Sequence, residues 1–149
     1  SPLKNSGPLP PRVGQETSYA IVFELRNFTN DLENVLLRVA IPPNIKWLGN
    51  SSPQGIDVRF VKEASEVQWV VGNLEAGIGI VRPALSFAFQ VSFIPSEADI
   101  GNIVTLVSAA ELSGKDSFTG ENIGQSLGSL TTELSNDPTT SHEQWRVVK

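Results

Sequence analysis

Five apolar side chains at a strict spacing of two residues limit what this chain can fold into more than any other feature of its sequence. They are Leu85, Phe87, Phe89, Val91 and Phe93. On a helix these side chains would spread around the whole circumference, whereas on a β-strand they share one face. The run therefore predicts a strand that buries one face in a core of large apolar side chains.

The same alternation recurs along the chain, and residues that favour turns separate the alternating segments. The predicted strands span residues 18–27, 35–41, 45–48, 56–60, 67–71, 85–93, 100–112 and 125–134. About eight short strands without an amphipathic helix predict an all-β fold. We interpret it as an immunoglobulin-like antiparallel β-sandwich, because the inward positions are too bulky and apolar to line the ligand cavity of a barrel.

The length of 149 residues fits one domain with short extensions. Residues 1–12 are rich in Pro and predict an extended lead-in or edge strand, residues 13–134 form the sandwich, and residues 135–149 form a polar tail or linker. Because the sequence contains no Met, we expect a processed product or a domain excised from a larger protein.

Charge and composition exclude several classes of partner. The formal net charge is −5 and no basic cluster is present, so a nucleic-acid backbone or an anionic lipid surface would be repelled. The sequence contains no Cys, which excludes disulfides, thiolate nucleophiles and Cys-ligated metals. The apolar runs are far shorter than the roughly 20 residues of a membrane span, so we expect no membrane insertion by this segment.

Several motifs, taken in order, resemble a repeat family of bacterial cell-surface proteins known as domain of unknown function eleven. The opening residues 13–19, with Gly14 before a strand and Tyr19 near its start, are similar to the family's first strand. The remaining similar segments are residues 25–27 with 34–35, 40–43 with 45–47 around Trp47, 67–77 around Trp69, and 85–93. The resemblance implies an immunoglobulin-like sandwich in a tethered or secreted multidomain protein, and it implies no reaction. The chain departs from a typical single repeat by the additional residues 113–134.

No residue pattern predicts catalysis. His142 is the only histidine, and it lies in the predicted polar tail, where a Ser-His-Asp triad could not be held in place. The 16 Asp and Glu residues are spread along the chain, and none is isolated in an apolar run, so we interpret them as surface charge. Lys46 and Lys115 are the two candidate amine donors for an intramolecular Lys–Asn bond, but no sequence motif supports either lysine in that role. We expect that the protein is not an enzyme.

Calcium is the one metal for which the sequence offers a candidate site, because calcium is bound through oxygen ligands alone. Asn27, Asn30, Asp31 and Glu33 crowd one predicted inter-strand loop. Their spacing does not match the calcium loop of helical calcium-binding proteins, and turn formation explains Asn and Asp here without a metal. The sequence therefore predicts no cofactor and no metal ligand, and this loop is the candidate if calcium is bound.

The three tryptophans could stack on a sugar ring. We interpret Trp69 as a core residue because it shares a face with Val67 and Val71, Trp145 as part of the tail, and Trp47 as packed beneath a loop. An exposed planar cluster would be needed for a sugar platform, and the sequence shows none.

These observations predict a non-catalytic structural or adhesive module of a larger cell-surface or secreted bacterial protein, acting as a spacer or an interaction domain. The alternative is a carbohydrate- or peptide-binding module. We expect an extracellular or cell-surface location and neighbouring domains of the same chain as partners, with other surface proteins and glycans as further candidates. We expect the apolar faces of the strands to stabilise the fold and the loops at the two ends of the sandwich to form any binding site.

Overall fold

The computed structural model describes residues 6–27, 30–127, 130–131 and 147–149. Its strands are β1 (Thr17–Leu25), β2 (Leu32–Ala40), β3 (Lys46–Ser52), β4 (Asp57–Val61), β5 (Glu66–Leu74), β6 (Leu85–Phe93), β7 (Thr105–Val107), β8 (Ala109–Asp116), β9 (Asn122–Leu127) and β10 (Leu130–Thr131). Two 3₁₀ helices, Lys62–Ala64 and Glu97–Asp99, lie between strands. In these ranges, no helix has the length and apolar character that a membrane crossing requires.

The strands form a sandwich of two antiparallel sheets. The smaller sheet has the order β1-β6-β3, and the larger has the order β4-β5-β2-β8-β9. Strands β7 and β10 pair with each other in a third, two-stranded sheet. This arrangement confirms the predicted all-β, immunoglobulin-like antiparallel sandwich.

The alternating faces that the sequence predicts to be inward are the faces that form the core. The buried side chains of the smaller sheet include Tyr19, Ile21, Leu25, Phe87, Phe89, Val91 and Phe93. Those of the larger sheet include Val35, Leu37, Val39, Val67, Trp69, Leu74 and Ala110. Trp69 of β5 meets Phe87 of β6 with ring centroids 4.7 Å apart, so this contact joins the two sheets directly.

Two predicted strands are each divided in the structure, which gives ten strands in the described ranges where the sequence predicts about eight. The predicted strand 100–112 is wrong as a single element, since β7 and β8 are separated at Ser108. Leu106 and Val107 are consecutive and both buried, and after them the chain leaves the two-stranded sheet of β7 and β10 and enters the larger sheet. The backbone N–H of Ser108 donates to the carbonyl oxygen of Ala40 at 2.9 Å and fixes the crossing.

The predicted strand 125–134 is likewise divided into β9 and β10, which belong to different sheets, and its residues 128–129 and 132–134 lie outside the described residues. The interval between the predicted strands 100–112 and 125–134 is shorter in the structure: β8 continues to Asp116, β9 begins at Asn122, and residues 117–121 form the turn. Residues 49–52 extend β3, and the strand β5 continues past Gly72 to Leu74 because the Leu74 side chain is buried.

The segments at the two ends of the described chain lie side by side. Ser6 bridges to Ser18 at the start of β1, and the backbone N–H of Val13 donates to the carbonyl oxygen of Val148 at 2.9 Å. Val147 is buried, and its backbone pairs with residues 101 and 102. The apolar pair Val147-Val148 thus packs on the sandwich although the sequence around it is polar. Residues 135–146 lie outside the described residues, and the predicted boundary after residue 134 stays a prediction.

Phe89→Ala should lower the free energy of unfolding by about 3–5 kcal/mol, because Phe89 is fully buried between the rings of Phe23, Phe87 and Trp47. Urea unfolding followed by circular dichroism measures this change. The control is Val22→Ala on the neighbouring strand β1, whose side chain is 46% exposed and should change stability by less than about 0.5 kcal/mol. Equal effects of the two substitutions would contradict the assignment of the core.

Candidate functional site

Three inter-strand loops meet at one end of the sandwich, which we call the loop end. They are residues 26–31 between β1 and β2, 75–84 between β5 and β6, and 117–121 between β8 and β9. Residues 28–29 of the first loop lie outside the described residues. The segments 6–16 and 147–149 lie at the opposite end, beside the start of β1 and the residues that follow β6.

Asn27 ties the first loop to the second. Its side chain is buried, and its Nδ2 donates to the carbonyl oxygens of Asn30 at 2.7 Å and Leu74 at 2.9 Å. Its backbone N–H donates to the carbonyl oxygen of Ile78 at 2.9 Å, and its own carbonyl oxygen accepts the N–H of Gly77 at 2.8 Å. Because these bonds are buried or partly buried, losing the side chain would leave carbonyl groups without their partner.

Asp31 joins the first loop to both of the others. Its Oδ1 accepts the backbone N–H of Ala76 at 2.8 Å, and its carbonyl oxygen accepts the backbone N–H of Ser117 at 2.9 Å. One residue thus contacts the second and third loops through two different oxygen atoms.

Asp116 organises the third loop. Its Oδ2 accepts Nδ2 of Asn30 at 3.0 Å, and its Oδ1 accepts the backbone N–H groups of Thr119 at 3.0 Å and Phe118 at 2.8 Å. The hydrogen bond from Asn30, followed by that from Thr119, holds the pKa of the Asp116 carboxyl below its usual value. The carboxylate therefore acts as an acceptor that shapes the turn.

The predicted calcium residues are engaged in contacts within the fold. Asn27 turns its amide inward as a donor, Nδ2 of Asn30 donates to Asp116 at the end of β8, and the carbonyl oxygen of Asp31 accepts the backbone N–H of Ser117. Glu33 lies in β2, with its carboxylate 4.0 Å from Nζ of Lys115. Within the described residues, no three His, Cys, Asp or Glu side chains gather in a way that could hold a metal. The calcium site stays a prediction.

Exposed apolar side chains project from the second and third loops. Phe118 is 87% exposed, Val81 is 81% exposed and Ile80 is 61% exposed. Phe118 lines a shallow cleft together with Asp31 and Ala76, which brings the third loop against the second. Sequence reasoning missed these residues, although an apolar pair inside a segment bounded by Gly77 and Pro83 is a signal that could have found them.

An aromatic pair lies on the side of the sandwich where β3 meets β4. Trp47 is half-buried and stacks on Phe60 with ring centroids 6.2 Å apart and planes 10° apart. The pair lines a groove whose rim carries Lys46 and Lys62. Trp69 is buried, as its alternation with valines predicts. Trp145 and His142 lie outside the described residues.

The two lysines considered for an intramolecular Lys–Asn bond are both exposed. Lys46 lies at the start of β3 and Lys115 near the end of β8. Such a bond needs an amine that burial keeps uncharged, so neither position offers the surroundings that the chemistry requires.

Comparison with known proteins shows a similarity in fold. No family model matches this sequence and no curated protein sequence matches it, so membership of the domain of unknown function eleven family is not shown. The structure is similar to BcpA, the major pilin subunit of Bacillus cereus, with a TM-score of 0.52 and 9% identity over 83% of this chain and 36% of that chain.

Two structures of the major pilin SpaD from Corynebacterium diphtheriae are also similar, each with a TM-score of 0.47. A two-domain structure has 7% identity over 81% of this chain and 47% of that chain. The full-length structure has 10% identity over 80% of this chain and 32% of that chain. The present chain therefore spans less than half the length of each of these pilins, and at 9% identity the similarity to BcpA shows the fold alone.

Asn27→Ala should lower the free energy of unfolding by about 1–3 kcal/mol, because the carbonyl oxygens of Asn30 and Leu74 lose a buried donor. Urea unfolding of the two proteins measures the difference. Asn50→Ala is the matched control, since its amide bonds to Gln90 on the exposed surface and its loss should change stability by less than about 0.5 kcal/mol. A negligible effect of Asn27→Ala would mean that this amide does not hold the loops together.

Proposed function

We propose that this domain is a non-catalytic structural module of a larger bacterial cell-surface protein, and that it spaces neighbouring domains and presents the loop end for interaction. The observation that carries the proposal is the similarity in fold to BcpA, which extends over 83% of this chain and 36% of that pilin. A domain that makes up about a third of a related architecture is expected to act in series with others.

The chemistry of the loop end supports a role in contact rather than in catalysis. The side chains of Asn27, Asp31 and Asp116 are all engaged in hydrogen bonds that hold loops to one another. The groups presented outward are the apolar side chains of Val81 and Phe118. Exposed apolar groups on a fixed frame are typical of protein interaction surfaces, because they are desolvated at little conformational cost when a partner covers them.

The position of the chain segments supports the presentation of the loop end for interaction. The described segments 6–16 and 147–149 both lie at the end opposite to the loop end. A neighbouring domain connected through those segments would therefore leave the three loops accessible.

An antibody against this domain tests the proposal on fractionated source cells. We expect a band far larger than the 16.1 kDa of this chain, in the envelope fraction, that disappears when intact cells are treated with external protease. A cytosolic protein probed on the same blot must survive the protease, which controls for lysis. A protected cytosolic band at the size of this chain would contradict the proposal.

A carbohydrate- or peptide-binding module is the second candidate, and the Trp47–Phe60 pair favours it. The stacked rings are partly exposed, and the two lysines on the groove rim could bond to hydroxyl or carboxylate groups of a ligand. A half-buried aromatic pair is the kind of platform on which a sugar ring or a peptide side chain can stack.

Tryptophan fluorescence separates the two candidates. If the groove binds a glycan or peptide from a screened set, the ligand should change the emission of the wild-type protein and of Phe118→Ala, while Trp47→Phe should lose the response. A response that persists in Trp47→Phe and is lost in Phe118→Ala would show that the ligand binds at the loop end and not in the groove. If no ligand changes the emission, the binding-module candidate fails and the spacer proposal is unaffected.

A further inference from the structure

The outer edge of β9 is an unpaired sheet edge within the described residues. Strand β9 is the last strand of the larger sheet and pairs with β8 on one side. Residues 122–126 are exposed, and Ile123 is 39% exposed. A free strand edge presents a row of backbone N–H and C=O groups that can pair with another strand.

The turn between β8 and β9 determines which backbone groups face that edge. The backbone N–H of Asp116 donates to the carbonyl oxygen of Glu121, and the N–H of Gly120 donates to the carbonyl oxygen of Asp116, both at 2.8 Å. Gly120 has a φ of 76°, the left-handed conformation that glycine readily adopts at the last residue of a short hairpin turn. Asp116 and Glu121 are therefore a hydrogen-bonded pair, and the pairs that follow alternate.

From this alternation, Ile123 and Gln125 direct their backbone groups toward β8. Asn122, Gly124 and Ser126 direct theirs toward the free edge. Three residues, each with one donor and one acceptor, are thus arranged along the edge at a spacing of two.

The two edges of the larger sheet differ in charge. Strand β4, at the other edge, carries the exposed charges of Asp57 and Arg59. Strand β9 has no charged residue between Asn122 and Leu127, and it has no Pro. Charges and Pro are the usual means by which an edge strand resists pairing with another chain, so β4 is protected and β9 is open.

We propose that β9 pairs antiparallel with β9 of a second copy of this chain, about a two-fold axis through Gly124. This register places Gly124 opposite the partner's Gly124, and Asn122 opposite the partner's Ser126. All the outward backbone groups of residues 122, 124 and 126 then find a partner. Two five-stranded sheets become one continuous sheet across the pair.

Three features favour a second copy as the occupant. A Cβ placed at Gly124 would meet nothing within 4 Å, so the space at the axis is open both to a second backbone and to a side chain at this position. The uncharged strand lets two chains of net charge −5 meet without placing like charges opposite each other. The two-fold also sends the two Glu121 residues to opposite ends of the paired strands. The proposal does not depend on the loop end or on the proposed function.

Disulfide formation between single-Cys variants tests both the pairing and its register, because the chain has no Cys of its own. At the axis the two Cα atoms of residue 124 would be about 5.5 Å apart, which a disulfide can span. Under mild oxidation, full-length Gly124→Cys should therefore form a covalent dimer, observed on a non-reducing gel and by light scattering.

Asn122→Cys is the matched control, because residue 122 lies on the same strand as residue 124 and also directs its backbone groups toward the free edge. The two copies of residue 122 would be about 14 Å apart, beyond the reach of a disulfide, so this variant should stay monomeric. A mixture of Asn122→Cys with Ser126→Cys should form the mixed dimer, because these positions lie opposite each other. If Asn122→Cys links as readily as Gly124→Cys, or if neither links, the proposal is overturned.

Ser126→Pro supplies a second readout without Cys chemistry. The substitution removes the backbone N–H that residue 126 directs toward the free edge. The hydrogen bonds between β8 and β9 stay intact, because residue 126 and its partner Glu111 form a pair that is not hydrogen-bonded. In light scattering over a concentration series, the wild type and Ser126→Ala should gain mass with concentration, and Ser126→Pro should not. Circular dichroism confirms that each variant folds. An unchanged concentration dependence in Ser126→Pro contradicts the pairing.

Discussion

The contact between aromatic side chains across the two sheets is the interaction on which the rest of this structure depends. Phe87 and Phe89 lie on the central strand of the smaller sheet, and both are fully buried. Phe87 meets Trp69 of the larger sheet with ring centroids 4.7 Å apart, and Trp47 of the smaller sheet meets Phe60 of the larger sheet with ring centroids 6.2 Å apart. Each such pair stabilises the fold by about 0.5–1.5 kcal/mol beyond the burial of its surface. The contacts fix the separation of the sheets and therefore the positions at which their strands end.

The arrangement of the loop end follows from that separation. Asn27 comes just after β1 of the smaller sheet, and its amide reaches the carbonyl oxygen of Leu74 at the end of β5 in the larger sheet. The short side chain of Asn27 can reach from the end of β1 to the carbonyl oxygen of Leu74 only if the core holds the two sheets at a suitable separation. Asp31 and Asp116 then extend the connection to the third loop. The exposed Phe118 is presented on a frame that the core has already positioned.

The sequence predicted the faces of the sheets well, because an alternation of two is a local property of a strand. It could not predict the role of Asn27, since Leu74 lies 47 residues away along the chain. The local pattern of Asn and Asp predicts a turn and a candidate calcium loop, and it carries no information about this distant contact. The division at Ser108 could not be predicted for a similar reason, because it depends on the pairing of β7 with β10 and of β8 with β2, which joins residues far apart along the chain. The return of Val147 to residues 100–102 also depends on long-range packing.

The unequal sizes of the two sheets explain why the edges of the larger sheet differ. A sheet of three strands cannot cover a sheet of five completely. On the side of β4 the cover is supplied by Trp47 of β3, which stacks on Phe60. On the side of β9, Ile123 continues the inward face beyond the core and stays partly exposed. The same asymmetry that exposes Ile123 leaves the edge of β9 accessible, and the sequence of β9 carries no charge, so a strand from outside the domain would continue the larger sheet where its own fold stops.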